Sequence, residues 1–263
     1  MKHQILSFLP GDHPWQNQIY WFDSVESTNT MAKQMAAQGA PNGTVLIAGH
    51  QSGGRGRLGR SFQSPAGAGV YMSVILRFPC RPDNLMHLTC ATAVAACRAV
   101  KNVAGIKPGI KWTNDLVVQE KKIAGILTEL VLLPNETAAI IGIGVNCTQM
   151  QMDFPEELRT MAASLTMVTG KKIAPAKVAA ELICQLACMS LELMTNRDSY
   201  MEFYRRNCIT LGRHISLCRS DEVRHGDALD VMNDGSLLVR FDDGHTEAVS
   251  SGEVSIRGMY GYV

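Results

Sequence analysis

Apolar positions change rhythm several times along the chain. QIYWFDS (18–24) reads as a short strand. STNTMAKQMAAQG (27–39) opens on capping residues, continues with helix formers and stops at Gly39, which predicts a helix. GTVLIAGH (43–50) and GVYMSVILRF (69–78) have the β-branched density of strands, and the second is apolar enough to be central. Over 84–105, Leu85, Leu88, Thr92, Ala95, Ala99 and Val103 recur at helical spacing. A β-rich block follows: 109–112, 116–118, 122–133 and 138–147, punctuated by the polar turns QEKK and PNE. Residues 150–172 have no period and read as irregular. The stretch 175–194 predicts a long helix with Pro175 in its first turn, and 198–207 a second. Short strands over 212–257, broken by Asp-Gly at 234–235 and 243–244, predict a small antiparallel barrel. A domain boundary is placed near Leu211, giving units 1–210 and 211–263.

Composition narrows the class. Apolar residues are 46% of 263, enough for a substantial core, which excludes wholesale disorder. Net charge is +1, so an anion site must be local and general nucleic-acid binding is disfavoured. No apolar run reaches membrane-spanning length. The N-terminus MKHQILSFLPGDHPW is too short and interrupted for a signal peptide. The eight cysteines show no CxxC and no zinc spacing. Cys184 and Cys188 share a helix face and read as packing residues. A soluble cytoplasmic protein is expected.

Against this background GGRGRLGR (53–60) stands out, with four glycines and three arginines, Arg55, Arg57 and Arg60. Glycine lets backbone N–H groups approach a ligand closely. Arginine offers a charged fork that matches phosphate or carboxylate. Such a loop, leaving a strand, suits the enclosure of an anion. It lacks GxxxxGK[ST], and no helical pattern follows it, so neither a P-loop nor a dinucleotide fingerprint fits. A solvated surface turn is the bland alternative.

Three further stretches carry candidate chemistry. In KWTNDLVVQEKKIAGILTE (111–129), Asn114 and Asp115 occupy a turn, and Lys122 opens a strand containing the small pair Ala124-Gly125. Asp115 could be a turn residue, a Mg²⁺ ligand or a group orienting a nucleophile. Ser27, Thr28 and Asn29 suffice as a helix cap and also suit a polar ligand head group. GIGVN (142–146) leaves room at its glycines and ends on Asn146.

Taken together, Ser27-Thr28-Asn29, Gln51 before GGRGRLGR, Lys111-Trp112-Thr113-Asn114-Asp115, Lys122 to Leu127 and Gly142 to Asn146 resemble the biotin protein ligases in order and spacing. The resemblance covers about residues 20–150, and the C-terminal barrel is similar to that family's SH3-like end domain. It implies an α+β fold: a class II synthetase-like catalytic domain with a mixed, mostly antiparallel sheet. It also implies activation of biotin with MgATP to biotinyl-5′-AMP and pyrophosphate. Transfer to one lysine of a carboxylase carrier domain follows. By position, Ser27, Thr28, Asn29 and Gln51 look like biotin contacts, while Arg55, Gly56, Arg57 and Lys122 look like partners of the biotin carboxylate and adenylate phosphate. Arg60, Lys111, Trp112, Asn114, Asp115 and Asn146 look like nucleotide-side residues, with Asp115 also a candidate metal ligand and an orienting group for the acceptor lysine.

Two departures stand out. Thr113 lies where many members carry proline, leaving that turn less preset, and Phe62 lies where tryptophan is frequent. Only 26 residues precede Ser27, fewer than the about 40 an independent core generally needs. A monofunctional ligase without operator DNA binding is therefore expected, as monomer or homodimer. Rival readings are a lipoate or octanoate protein ligase or transferase, a non-catalytic module sensing biotin or a nucleotide, and a structural or RNA-binding protein.

Overall fold

The computed structural model describes residues 1–219, 222–250 and the backbone of 255–258. Helix α1 (Lys2–Phe8) and strand β1 (Ile19–Phe22) lead to α2 (Thr28–Ala37), β2 (Thr44–Ala48) and β3 (Gly69–Phe78). Helix α3 (Leu88–Ala104) is followed by β4 (Gly109–Lys111), β5 (Asp115–Val118), β6 (Lys121–Leu132) and β7 (Thr137–Asn146). Then come α4 (Leu165–Thr169), α5 (Pro175–Glu192) and α6 (Arg197–Asn207). The chain closes with β8 (His214–Arg219), β9 (Glu222–Val231), β10 (Leu237–Phe241), β11 (Thr246–Val249) and β12 (Ser255–Gly258).

Local signals explain most boundaries. Ser27 caps α2, its side chain accepting from the Thr30 amide. Gly105, at φ +72°, ends α3 in a left-handed cap. Gln119 and Glu120, both at positive φ, make the tight turn between β5 and β6. The long helix expected from residue 84 begins later: Pro82–Leu85 forms a single 3₁₀ turn, and α3 starts at Leu88. Nor is 150–172 wholly irregular, because Ser164 caps the short α4 and 3₁₀ turns precede it.

Seven strands form one sheet in the order β1-β2-β3-β7-β6-β5-β4, in which only β1 and β2 run parallel. The mixed, mostly antiparallel α+β expectation holds. Strand alternation gives the sheet two unlike faces. One carries Val74, Leu76, Ile141, Ile143 and Ile126 into a core shared with α3 and α5. The other carries Leu46, Ile75, Ala138 and Ile140 under Ala32 and Ala36 of α2. Further along that second face the register places Ser73 beside Gly142 and Tyr71 beside Gly144, with Leu127 and Gly125 next in line. There α2 begins, the floor is built from small residues, and a cavity opens.

The C-terminal strands form a five-stranded antiparallel sheet, β11-β10-β9-β8-β12, whose tight turns hold Gly235 and Gly244 at positive φ as the Asp-Gly pairs predicted. Its apolar face is not separate. Leu217, Ala228, Leu237 and Val239 join the same buried cluster as Leu88, Cys90 and Tyr204. Residues ahead of β1 are likewise absorbed, with Ile5, Leu9 and Trp15 buried in that cluster. All eight cysteines are free thiols. Among the described residues no helix is long and apolar enough to cross a membrane.

Candidate active site

The cavity holds about 640 Å³. Its closed end is built by the start of α2. The Gln51 side-chain oxygen accepts from both the Thr28 amide (2.8 Å) and the Thr28 hydroxyl (3.0 Å). The Gln51 Nε2 donates to Ser64 Oγ at 3.0 Å, which fixes the orientation of the amide. Ser73 Oγ lies 2.7 Å from Thr28 Oγ1 and 2.6 Å from Asn29 Oδ1. The Thr28 proton already goes to Gln51, so two oxygens compete for the one proton of Ser73. One of the two oxygens, on Thr28 or Asn29, is left without that proton, and both residues line the cavity. Beneath Asn29, Gly142 is obligatory, because an added Cβ would stand 2.2 Å from Asn29 Oδ1.

The open end is electrostatic. Arg55, Arg57, Arg60, Lys111 and Lys122 line it, against the single carboxylate of Asp115 among the described lining residues. Lys122 Nζ meets Asp115 at 2.7 Å. Arg57 donates to Asn114 Oδ1 at 3.3 Å, and Asn114 Nδ2 donates to the Ile126 carbonyl at 2.8 Å. Burial pushes the Arg57 guanidinium below its usual range; Asp115 counters this and Arg60 adds to it. A crowd of cations in a part-buried cleft is relieved by an incoming anion. The glycine-arginine loop turns back on itself through Gly56 N–H to Arg60 O (2.6 Å) and Phe62 N–H to Gly54 O (2.9 Å). It swings Phe62 onto the glycine floor, where an added Cβ on Gly144 would strike the ring at 2.4 Å.

The structure thus gathers Ser27, Thr28, Asn29, Gln51, Arg55, Gly56, Arg57, Arg60, Lys111, Asn114, Asp115, Lys122 and Asn146 around one cavity. It does not bring Trp112 there. Lys111, the last residue of β4, reaches the cavity, while Trp112, the first residue of the turn that follows, turns away. Its indole N–H donates to the Gly235 carbonyl (3.0 Å) in the C-terminal sheet. The turn beside it is fixed from outside, by Tyr204 donating to the Thr113 carbonyl and Trp112 N–H donating to Thr210. Asn146 lines the cavity with its amide already engaged, donating to Ala163 O and accepting from Gln149.

Sequence reasoning missed Ser73, which sits behind Thr28 and Asn29, and the apolar wall of Phe154, Leu158, Met161 and Ala162. The wall is held by backbone bonds across Lys122, whose N–H donates to Met161 O (2.8 Å) and whose carbonyl accepts from Ala163 N–H (3.0 Å). Ser73 had one signal, a small polar residue in the middle of a mostly apolar ten-residue strand.

Comparison with known proteins agrees with this geometry. Residues 21–146 match the biotin/lipoate A/B protein ligase family, and 210–257 match the biotin protein ligase C terminal domain. The bifunctional ligase/repressor BirA of Bacillus subtilis is 34% identical over 228 residues, covering 86% of this chain and 70% of that protein. The chain belongs to the biotin protein ligase family. A biotin--[acetyl-CoA-carboxylase] ligase of Mycobacterium tuberculosis is 31% identical, covering 87% of this chain and 85% of the relative. Among solved structures, the biotin protein ligase from Aquifex aeolicus in complex with biotin and ATP superposes with a TM-score of 0.78 at 29% identity, covering 92% and 99% of the two chains. The ligase therefore has its family's fold, and its cavity lies on the face where the glycine-arginine loop meets β6 and β7.

Proposed function

We propose that this ligase activates biotin with MgATP and transfers the biotinyl group to a lysine of a carboxylase carrier domain. The observation that carries the reading is the polarity of the cavity: an unfilled hydrogen-bond acceptor at the closed end, and five cations around one carboxylate at the open end. Biotin has the matching form, with ureido N–H donors at its head and a carboxylate at its tail. Lipoate has no N–H at its head and would leave the acceptor unmatched, a buried loss that discriminates strongly. That relatives are named biotin ligases, one solved with biotin and ATP, supports the same substrates here.

In the first step a biotin carboxylate oxygen attacks the α-phosphorus of ATP, and the bond to the β-phosphate breaks to release pyrophosphate. Both reactants are anionic. Arg55, Arg57 and Lys122 offset the charge where they meet, and Arg60 and Lys111 face the departing phosphates. Asp115 holds Lys122 in place. Among the described residues no cluster of three acidic, histidine or cysteine groups is set to hold a metal. Asp115, the one carboxylate among the described lining residues, would face Mg²⁺ carried by the triphosphate, and the cation would there offset phosphate charge. In the second step the carrier amine attacks the acyl carbon, the C–O bond to AMP breaks, and the amine releases its proton. Asp115 lies at hand to orient that amine. Phe62 and the wall of Phe154, Leu158 and Met161 keep water from the acyl-adenylate.

On this reading residues 1–210 form the catalytic unit and 211–263 its end domain, in a reducing cytoplasm that suits eight free thiols. This chain of 263 residues binds no operator DNA, since α1 and Trp15 are packed into the catalytic core; a specific gel shift of operator DNA with biotinyl-AMP would contradict that. The deciding assay is exchange of labelled pyrophosphate into ATP with a single added acid. Exchange with biotin is expected. Exchange with lipoate alone selects the rival substrate, and no biotin-dependent exchange overturns the reading. A mass gain on a carrier domain tests the transfer.

A further inference from the structure

Glu129 of β6 does not line the cavity, yet it is tied to a residue that does. Asn29 is 4% exposed. Its Nδ2 donates to Glu129 Oε2 at 2.9 Å and to the Leu127 carbonyl at 3.2 Å. Both amide hydrogens are thereby directed away from the ligand, and Oδ1 faces Ser73 and the Gly142 floor. The other Glu129 oxygen is ion-paired with Lys33, four residues after Asn29 on α2 and so on the same helix face.

We propose that Glu129, steadied by Lys33, is a positioning residue for substrate selection: it fixes the Asn29 amide so that an acceptor, not a donor, meets the ligand head group. The proposal rests on the reading of the closed end as the biotin site. An asparagine amide has two faces of nearly equal shape and opposite polarity. The flipped amide would present N–H groups to Ser73 and to a ureido N–H, and would turn its oxygen against the Leu127 carbonyl. The Leu127 carbonyl is backbone and holds one hydrogen whatever the side chains are. The second hydrogen depends on Glu129, and a charged acceptor makes that bond the stronger of the two. Lys33 restrains the carboxylate from swinging to solvent, since both side chains are partly exposed.

Pyrophosphate exchange with biotin tests this, with KM for biotin, KM for ATP and kcat measured separately. Glu129→Ala is expected to raise the biotin KM about tenfold or more. The ATP KM and kcat should stay within about twofold, since a contact made equally in ground and transition state changes only KM. Glu129→Gln, which keeps an acceptor for Asn29, should return the biotin KM to within about threefold of the parent. Discrimination against a biotin N-methylated on the ureido ring should fall in Glu129→Ala and recover in Glu129→Gln, a pattern that general loosening would not produce. Glu129→Asp withdraws the acceptor by one methylene and serves if the alanine variant does not fold; its biotin KM should rise severalfold. An unchanged biotin KM in the Ala or Asp variant overturns the proposal. So does a parallel rise in the ATP KM, or a Gln variant no better than Ala. Absence of biotin-dependent exchange in the parent would instead overturn the underlying reading of the site.

Discussion

The two ends of the cavity solve different recognition problems with different materials. At the closed end Ser27, Thr28, Asn29 and Ser73 are all under 5% exposed, and hydrogen bonds of 2.6 to 3.2 Å fix the polar atoms of Thr28, Asn29 and Ser73. At the open end the Arg55 side chain is 52% exposed and meets Glu26 only at 3.9 Å. A neutral head group is recognised by direction, so its partners must be short, buried and set beforehand. Charge is recognised over distance and tolerates long side chains that order around the ligand. Ordering them costs rotamer entropy, and a binding anion offsets that cost.

The contrast makes distinct kinetic signatures. On the proposed reading Lys122→Ala removes a cation at the reacting centre, and it should lower kcat by about a hundredfold or more, with a much smaller change in the biotin KM. Exchange kinetics at saturating ATP check this. A biotin KM that rises while kcat holds would erase the distinction between the ends. Gly142→Ala attacks the other end. The new Cβ would displace Asn29 Oδ1 from 2.2 Å away, an overpacking worth about 1–3 kcal/mol. The biotin KM should rise about ten- to a hundredfold, with kcat and the ATP KM little changed. Gly144→Ala strikes the Phe62 ring first, which can swing with its loop, and should cost less biotin affinity than Gly142→Ala. Thermal melts of both variants verify that the fold persists.

The ends also differ in how far sequence alone exposed them. The strands and most helices were legible because period and capping agree locally, as at Ser27 and Pro175. The arginines were legible because a cluster of charge between apolar strands has few structural uses, and Lys122 only through the resemblance of its segment to the family. What stayed hidden depends on register between distant strands. Ser73 matters because it pairs beside Gly142, and Glu129 because α2 crosses β6 where Asn29 and Lys33 meet it. The wall of Phe154, Leu158 and Met161 is fixed by backbone bonds to Lys122, which no side-chain pattern announces. Trp112 shows the opposite failure. Its neighbours Lys111 and Asn114 line the cavity, but the turn that begins at Trp112 sends the indole to the Gly235 carbonyl of the C-terminal sheet.

The smallest effect separates the ends by mobility. Arg55, Arg57 and Arg60 make 53–62 a natural target for trypsin, and Leu58, 57% exposed at φ +54°, gives the loop little apolar anchorage. The empty loop is expected to open readily. Biotin alone satisfies the prebuilt end and supplies one carboxylate, so it should slow cleavage modestly, by about two- to threefold if closure is favoured by under 1 kcal/mol. Biotin with MgATP places the adenylate phosphate among the arginines and should slow cleavage several times further. Protection that is complete with biotin alone would mean that the head-group end, not the charge, closes the loop. No protection by either would mean that the arginines act without the loop folding over the adenylate at all.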